Sequence, residues 1–229
     1  MVKLSKRLQA AYDFVPAGAV LADVGADHAQ LTLALLEKGK IEWAQAIENK
    51  VGPFIRMKSA VDKSPCASHV ECTQADGLDS LASNVDCLAI LGMGGRLIAE
   101  ILERGKEKLD PIDTIVLDPH TDLVLVREKI VELGFKIEDE AMVLESGTYY
   151  TIIKAVKGKP EKAYTKTELA FGPILLQKKG PVFLSFCESN LKKVGKNLDK
   201  GLSEESRRKY LNLYHLLKRL IAESQSEDK

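Results

Sequence analysis

VLADVGADHAQLTLALLEKG, residues 20–39, decides the fold of this chain. Its first six residues form a short apolar run closed by glycine, which reads as a buried strand. A helix is expected from about Asp27 to Lys38, with Gly39 just past its end, where a left-handed backbone is needed. A strand that turns through a single glycine into a helix is the opening unit of an α/β sheet. Ligands of such sheets bind in the crevice beyond the carboxyl ends of the strands, so the turn Asp23-Val24-Gly25-Ala26-Asp27-His28 is the first place to look for chemistry.

The same alternation continues outward. Residues 43–49, 69–76, 87–93 and 114–119 read as strands, and 53–63, 95–109 and 122–133 as helices. Nearly continuous apolar strands interleaved with helices imply a parallel sheet covered on both faces. The segments 135–147 and 149–158 are both strand-like and are separated by a short turn. Parallel neighbours need a crossover of about a dozen residues or more, so this pair is expected to be an antiparallel hairpin. A parallel sheet ending in an antiparallel hairpin is the Rossmann-like pattern of class I methyltransferases. On the N-terminal side, residues 5–15 read as an amphipathic helix capped by Ser5 and stopped by Pro16.

Beyond Pro160 the composition changes. A linker-like stretch leads into two helical segments, about 181–200 and 203–224, whose apolar residues recur every three or four positions. They suggest an antiparallel helical hairpin close to a coiled coil. The reading is therefore a methyltransferase-like domain over 1–159 and a helical hairpin domain over 160–229. Charge follows the same division. The chain has 33 basic and 33 acidic side chains, but residues 1–150 hold 16 against 24 (net −8) and residues 151–229 hold 17 against 9 (net +8). Lys192, Lys193, Lys196, Lys200, Arg207, Arg208 and Lys209 decorate the hairpin. Such a surface reads either as a solvated helix face or as an RNA-contacting arm.

Other classes of protein are set aside quickly. No apolar run reaches the ~20 residues that span a bilayer, and the N-terminus does not read as a signal peptide, so a cytoplasmic location is expected. Four cysteines without CxxC spacing argue against a disulfide framework. Cys66, His69 and Cys72 read as core and loop side chains, and no metal is expected.

The strand ends carry the chemistry. One glycine stands at the first turn where a dinucleotide fingerprint needs three, and Asp27 opposes a pyrophosphate at the helix start. A nicotinamide-linked oxidoreductase is therefore disfavoured. Glu48, with Asn49, ends the second strand, where an acid accepts hydrogen bonds from ribose hydroxyls. Asp76-Gly77 ends the third, where a carboxylate can accept from an adenine amino group. Gly92-Met93-Gly94-Gly95 ends the fourth and permits close backbone approach. Asp118-Pro119-His120 ends the fifth, with Asp118 in the extended geometry that precedes proline and directed at the crevice. An adenosine without phosphate but with a cationic sulfonium, S-adenosylmethionine, fits these positions together.

Several motifs make the likeness specific: LSKRL (4–8), DVGADHAQL (23–31), VGPF (51–54), DGL (76–78), GMGGRLI (92–98), YYTI (149–152) and FGP (171–173). With them the chain resembles the bacterial tRNA (adenine(22)-N1)-methyltransferase family over nearly its whole length. The resemblance implies S-adenosylmethionine as cofactor, a tRNA as substrate and N1 of an adenine as methyl acceptor. The pattern differs at Ala26, Gln30 and Thr32, where the family usually has Ser, Tyr and Pro, at Ile47 for Gly, and at Asp118-Pro119-His120 for Gln-Pro-Asn. The expected site comprises Asp27, His28 and Arg7 for catalysis. Asp23, Gly25, Glu48, Asn49, Asp76, Gly77, Gly92 and Met93 are expected to hold the cofactor. Gly94, Gly95, Asp118, His120, Lys192 and Lys196 are expected to meet the substrate. The competing reading is a methyltransferase fold that has lost turnover and serves as an RNA-binding or assembly module.

Overall fold

The structure, a computed structural model, describes residues 3–227. Seven strands form one sheet: Leu21–Val24 (β1), Ala44–Glu48 (β2), Val70–Gln74 (β3), Cys87–Met93 (β4), Thr114–Pro119 (β5), Phe135–Glu145 (β6) and Thr148–Lys157 (β7). Their order is β3-β2-β1-β4-β5-β7-β6. The first five run parallel, while β7 lies antiparallel between β5 and β6. The expected mostly parallel sheet with an antiparallel end is what the chain builds. The strand order reverses between β1 and β4, which fixes the crevice at their carboxyl ends.

The helices of this unit are Lys6–Phe14 (α1), Gln30–Glu37 (α2), Val51–Asp62 (α3), Gly95–Arg104 (α4), Leu123–Glu132 (α5) and the short Lys166–Phe171 (α6). Alternate side chains of the central strands feed two cores. On one face Ala22, Val24, Leu88, Ile90, Ile115 and Leu117 pack with Ile98, Ile101 and Leu102 of α4 and Val126 and Ile130 of α5. On the other face Leu21, Cys87, Ala89 and Val116 pack with Ala11 of α1 and Leu31, Leu35 and Leu36 of α2. Ala46 of β2 continues this layer with Met57 and Val61 of α3. Burial on both faces explains why the strands read as unbroken apolar runs.

The chain divides into two compact units, Met1–Ile174 and Leu175–Lys229. The division falls after the composition change at Pro160, because residues 160–174 are pinned to the sheet unit. The amide of Ile137 donates to the Tyr164 hydroxyl at 3.2 Å. Arg127, fully buried, pairs with Glu140 at 2.8 Å and donates to the Leu169 carbonyl at 2.7 Å. The stretch read as a linker, 158–168, runs into α6, started by a reciprocal Thr165–Glu168 capping box, and a further helix, Pro173–Lys178 (α7), follows it.

In the second unit Pro181–Leu198 (α8) and Glu204–Glu227 (α9) pack on each other as a helical hairpin. Phe183, Cys187 and Val194 of α8 and Leu217 and Leu220 of α9 are buried. The basic residues singled out in the sequence, including Lys192 and Lys196, are exposed. No helix among the described residues is long and apolar enough to cross a membrane. Nor do the described residues bring three His, Cys, Asp or Glu side chains together as metal ligands; His69 instead bonds through Nδ1 to the Glu42 carbonyl at 2.9 Å.

Candidate active site

Two adjoining cavities open at the carboxyl ends of the parallel strands. The first, about 290 Å³, has apolar walls from Ile47, Pro53, Met93, Leu97 and Ile101, with Glu48, Asn49 and Asp76 as its polar groups. The second, about 300 Å³, is bounded by Arg7, Asp23, His28, Gln30, Leu91 and Gly92. Gly25 and Asp27 line both. The turn after β1 is thus the partition between them.

That partition needs its glycine. Gly25 has φ +75°, and a Cβ there would sit 2.1 Å from Cε of Met93. The helix after the turn starts at Gln30 rather than near Asp27, because Asp27 (φ 22°) and Ala29 (φ 49°) both take left-handed backbone. Strain of this kind is tolerated where surrounding structure enforces it, often at ligand sites. It leaves Asp27 half-exposed on the partition, with Arg56 of α3 gripping its Oδ1 through Nε at 3.0 Å and Nη2 at 2.9 Å. His28 Nε2 lies 3.8 Å from Asp27 Oδ2.

The first cavity's carboxylates sit at successive strand ends. One oxygen of Glu48 accepts from the backbone amides of Asn49 and Lys50 at 3.1 and 3.3 Å. The side chain is thereby fixed at the wall of the first cavity. Asp76 Oδ2 accepts from Arg104 at 2.8 Å, and this bond holds the carboxyl below its ordinary range. Gly77 (φ +58°) makes the turn, and a Cβ there would crowd Arg104 and Ile101. Acids outnumber cations along this lining: Asp27, Glu48 and Asp76 against Lys50. A phosphate-free adenosine bearing a cationic sulfonium fits this donor and acceptor set.

Asp23 is buried under α2, where the Thr32 hydroxyl donates to it at 2.8 Å. Burial raises its carboxyl to about 6; the Thr32 hydrogen bonds oppose that rise, and the nearby Glu48 charge adds to it.

The substrate-edge residues differ from expectation. Asp118 does not face the crevice. It is fully buried, and its Oδ2 accepts from Arg7 Nη1 at 2.5 Å. The cause is α1, which covers the end of β5 and brings Arg7 over it. Arg7 Nη1 also lies 3.2 Å from His120 Nε2, and the guanidinium stands 5.3 Å above the Tyr150 ring. Gly95 is closely packed, since a Cβ there would meet the Thr121 carbonyl oxygen at 2.3 Å. Gly94 starts α4, and a Cβ there would make ordinary contact with Thr121 Oγ1 at 3.5 Å. Lys192 and Lys196 belong to the second unit and stand on α8.

Sequence reasoning did not find Arg56, Arg104, Thr32 or the stacking of Arg7 on Tyr150. The first two reach carboxylates from other helices, and no local spacing announces such pairs.

The tRNA (adenine(22)-N(1))-methyltransferase family matches residues 21–223. The chain belongs to that family. It is 39% identical over 188 residues to the Bacillus subtilis (strain 168) tRNA (adenine(22)-N(1))-methyltransferase, covering 80% of this chain and 79% of the relative. The crystal structure of the B. subtilis 1-methyladenosine-22 tRNA methyltransferase is similar at a TM-score of 0.84 and 33% identity, covering 96% of this chain and 100% of that one. A Streptococcus pneumoniae protein solved in complex with S-adenosyl-L-methionine is similar at a TM-score of 0.87 and 31% identity, with 96% and 100% covered.

Proposed function

We propose that this protein is an S-adenosylmethionine-dependent methyltransferase that modifies N1 of adenine 22 in tRNA, acting in the cytoplasm. The observation that supports this reading best is the pair of cavities meeting at Gly25 and Asp27. The first holds the cofactor and the second the target base, so donor and acceptor meet beside Gly25 and Asp27, which line both. When bound, S-adenosylmethionine supplies a methyl group activated by its sulfonium.

The chain's own residues then have definite tasks. Glu48 accepts from ribose hydroxyls, while Asp76 and Asn49 receive the cofactor's adenine end. Adenine N1 carries a lone pair near pH 7, so no base is needed to deprotonate it first. The base must leave its stack or pair, be aligned, and be kept from water. The acceptor becomes cationic as it is methylated, and the Asp27 carboxylate, accepting from the exocyclic amino group, favours that charge. Arg56 fixes the carboxylate through Oδ1 and leaves Oδ2 toward the second cavity's His28. His28 and Arg7 orient the target nucleotide. The exposed cations of α8 and α9, Lys192 and Lys196 among them, supply the phosphate contacts that dominate non-specific RNA affinity.

Transfer of labelled methyl from S-adenosylmethionine to total tRNA, with the product nucleoside mapped, tests this reading. The expected product is 1-methyladenosine at position 22. A protein that binds tRNA and transfers nothing is the non-enzymatic binding module instead.

A further inference from the structure

We propose that Asp118 is a positioning residue for methyl transfer: it fixes Arg7 at the wall of the target-base cavity and cancels its charge. The proposal rests on the functional reading above and deepens it. Asp118 contacts neither cavity. It is fully buried at the end of β5, its Oδ2 accepts from Arg7 Nη1 at 2.5 Å, and its Oδ1 is a buried oxygen without a hydrogen-bond partner among the described residues. If Asp118 served only to hold Arg7, a neutral asparagine would give the same acceptor without a buried charge to desolvate. A carboxylate with one oxygen unsatisfied is a costly arrangement, and what it uniquely supplies is its negative charge.

Arg7 is held from three sides. Asp118 on β5 takes Nη1, His120 beyond β5 lies 3.2 Å from the same nitrogen, and the Tyr150 ring on β7 lies under the guanidinium. His120 and Tyr150 also meet edge to face at 5.2 Å. His120 Nε2 also lies 3.6 Å from Asp118 Oδ2, so Arg7, Asp118 and His120 form one cluster. Gly92 completes the seat, since a Cβ there would come within 3.1 Å of Arg7 Nη1. With Nη1 committed, Nε and Nη2 remain for the target nucleotide.

N1-methylation makes the adenine cationic, so a bare guanidinium on the wall of the same cavity would oppose it. A neutralised one can orient the nucleotide through its remaining N–H groups without that penalty. The order of effects is then fixed: Asp118 acts through Arg7, and its removal matters only while Arg7 is present.

The test is a double-mutant cycle on the full-length protein with tRNA substrate. Asp118→Asn is expected to lower kcat by about tenfold or more, within the range of lost electrostatic stabilisation in active sites. The KM for S-adenosylmethionine should be unchanged, with one cofactor still bound per chain by calorimetry. Arg7→Gln also lowers kcat, and R7Q/D118N is expected to be no slower than the slower single variant. Arg7→Gln alone strands a buried carboxylate, so its melting temperature falls and recovers in the double variant. That recovery keeps the proposal testable should one single variant fold poorly. Losses that multiply in the double variant, or Asp118→Asn turning over at the wild-type rate, overturn the proposal alone. A wild-type protein that leaves adenine 22 unmethylated overturns the functional reading and this proposal with it.

Discussion

Replacing Asp23 with asparagine should stabilise the protein at neutral pH and lose that advantage in acid. The Asp23 carboxyl is raised from 3.8 to about 6, chiefly by burial. Its folded-state value lies above its unfolded one, so the folded state holds the proton more tightly. Stability from this group is fully present below about pH 4 and is lost as the pH rises through about 6. Two pKa units correspond to about 3 kcal/mol. Asparagine keeps an acceptor for the Thr32 hydroxyl but places an amide in an apolar setting, which costs about 1 kcal/mol. The net gain near pH 7.5 is therefore about 2 kcal/mol. For a unit of this size that is a rise in melting temperature of about 4–8 °C. Thermal unfolding of both proteins from about pH 4 to 7.5 measures it. The constant offset from the amide cancels in the comparison, so the quantity that decides is the change in the difference between the two proteins. A difference that stays flat across that range would refute the assignment of a raised, buried carboxyl.

Two further substitutions probe the cofactor cavity. Gly25→Ala puts a side chain on a backbone with φ +75° and displaces the Met93 side chain that lines the first cavity, and should weaken S-adenosylmethionine binding at least tenfold by calorimetry. Glu48→Gln keeps the shape but removes the charged acceptor for the ribose; hydrogen bonds to charged groups contribute about 1.5–3 kcal/mol each, so the dissociation constant should rise by about tenfold or more with the melting temperature little changed.

Much of the sheet was legible because its strands are buried on both faces. Residues 87–93 and 114–119 read as strands and end where they were expected to end. The helix after β1 was placed too early: nothing in GADHAQ announces that Asp27 and Ala29 adopt left-handed backbone. Residues 158–168 were read as linker, although the Thr165–Glu168 capping box was a visible helix signal. The carboxylates at the ends of β1, β2 and β3 could be grouped from sequence because topology alone brings strand ends to one edge. Asp118 could not be read in the same way, because its burial depends on α1 closing over β5 from more than a hundred residues away. The same holds for Arg56 at Asp27 and Arg104 at Asp76, which reach their partners from separate helices.

The net charge of zero also acquires a structural meaning. The acidic strand ends suit a cationic cofactor, and the exposed cations of α8 and α9 lie in a separate compact unit. Deleting that unit should therefore reduce affinity for tRNA more than affinity for S-adenosylmethionine.

The central claim is that Asp27, on the partition between the two cavities, serves the reaction rather than cofactor binding. The direct measurement pairs calorimetric S-adenosylmethionine affinity with single-turnover methyl transfer to tRNA for Asp27→Ala. The account expects cofactor affinity within a few-fold of wild type and transfer slowed by about a hundredfold or more. Transfer at the native rate by this variant would contradict it.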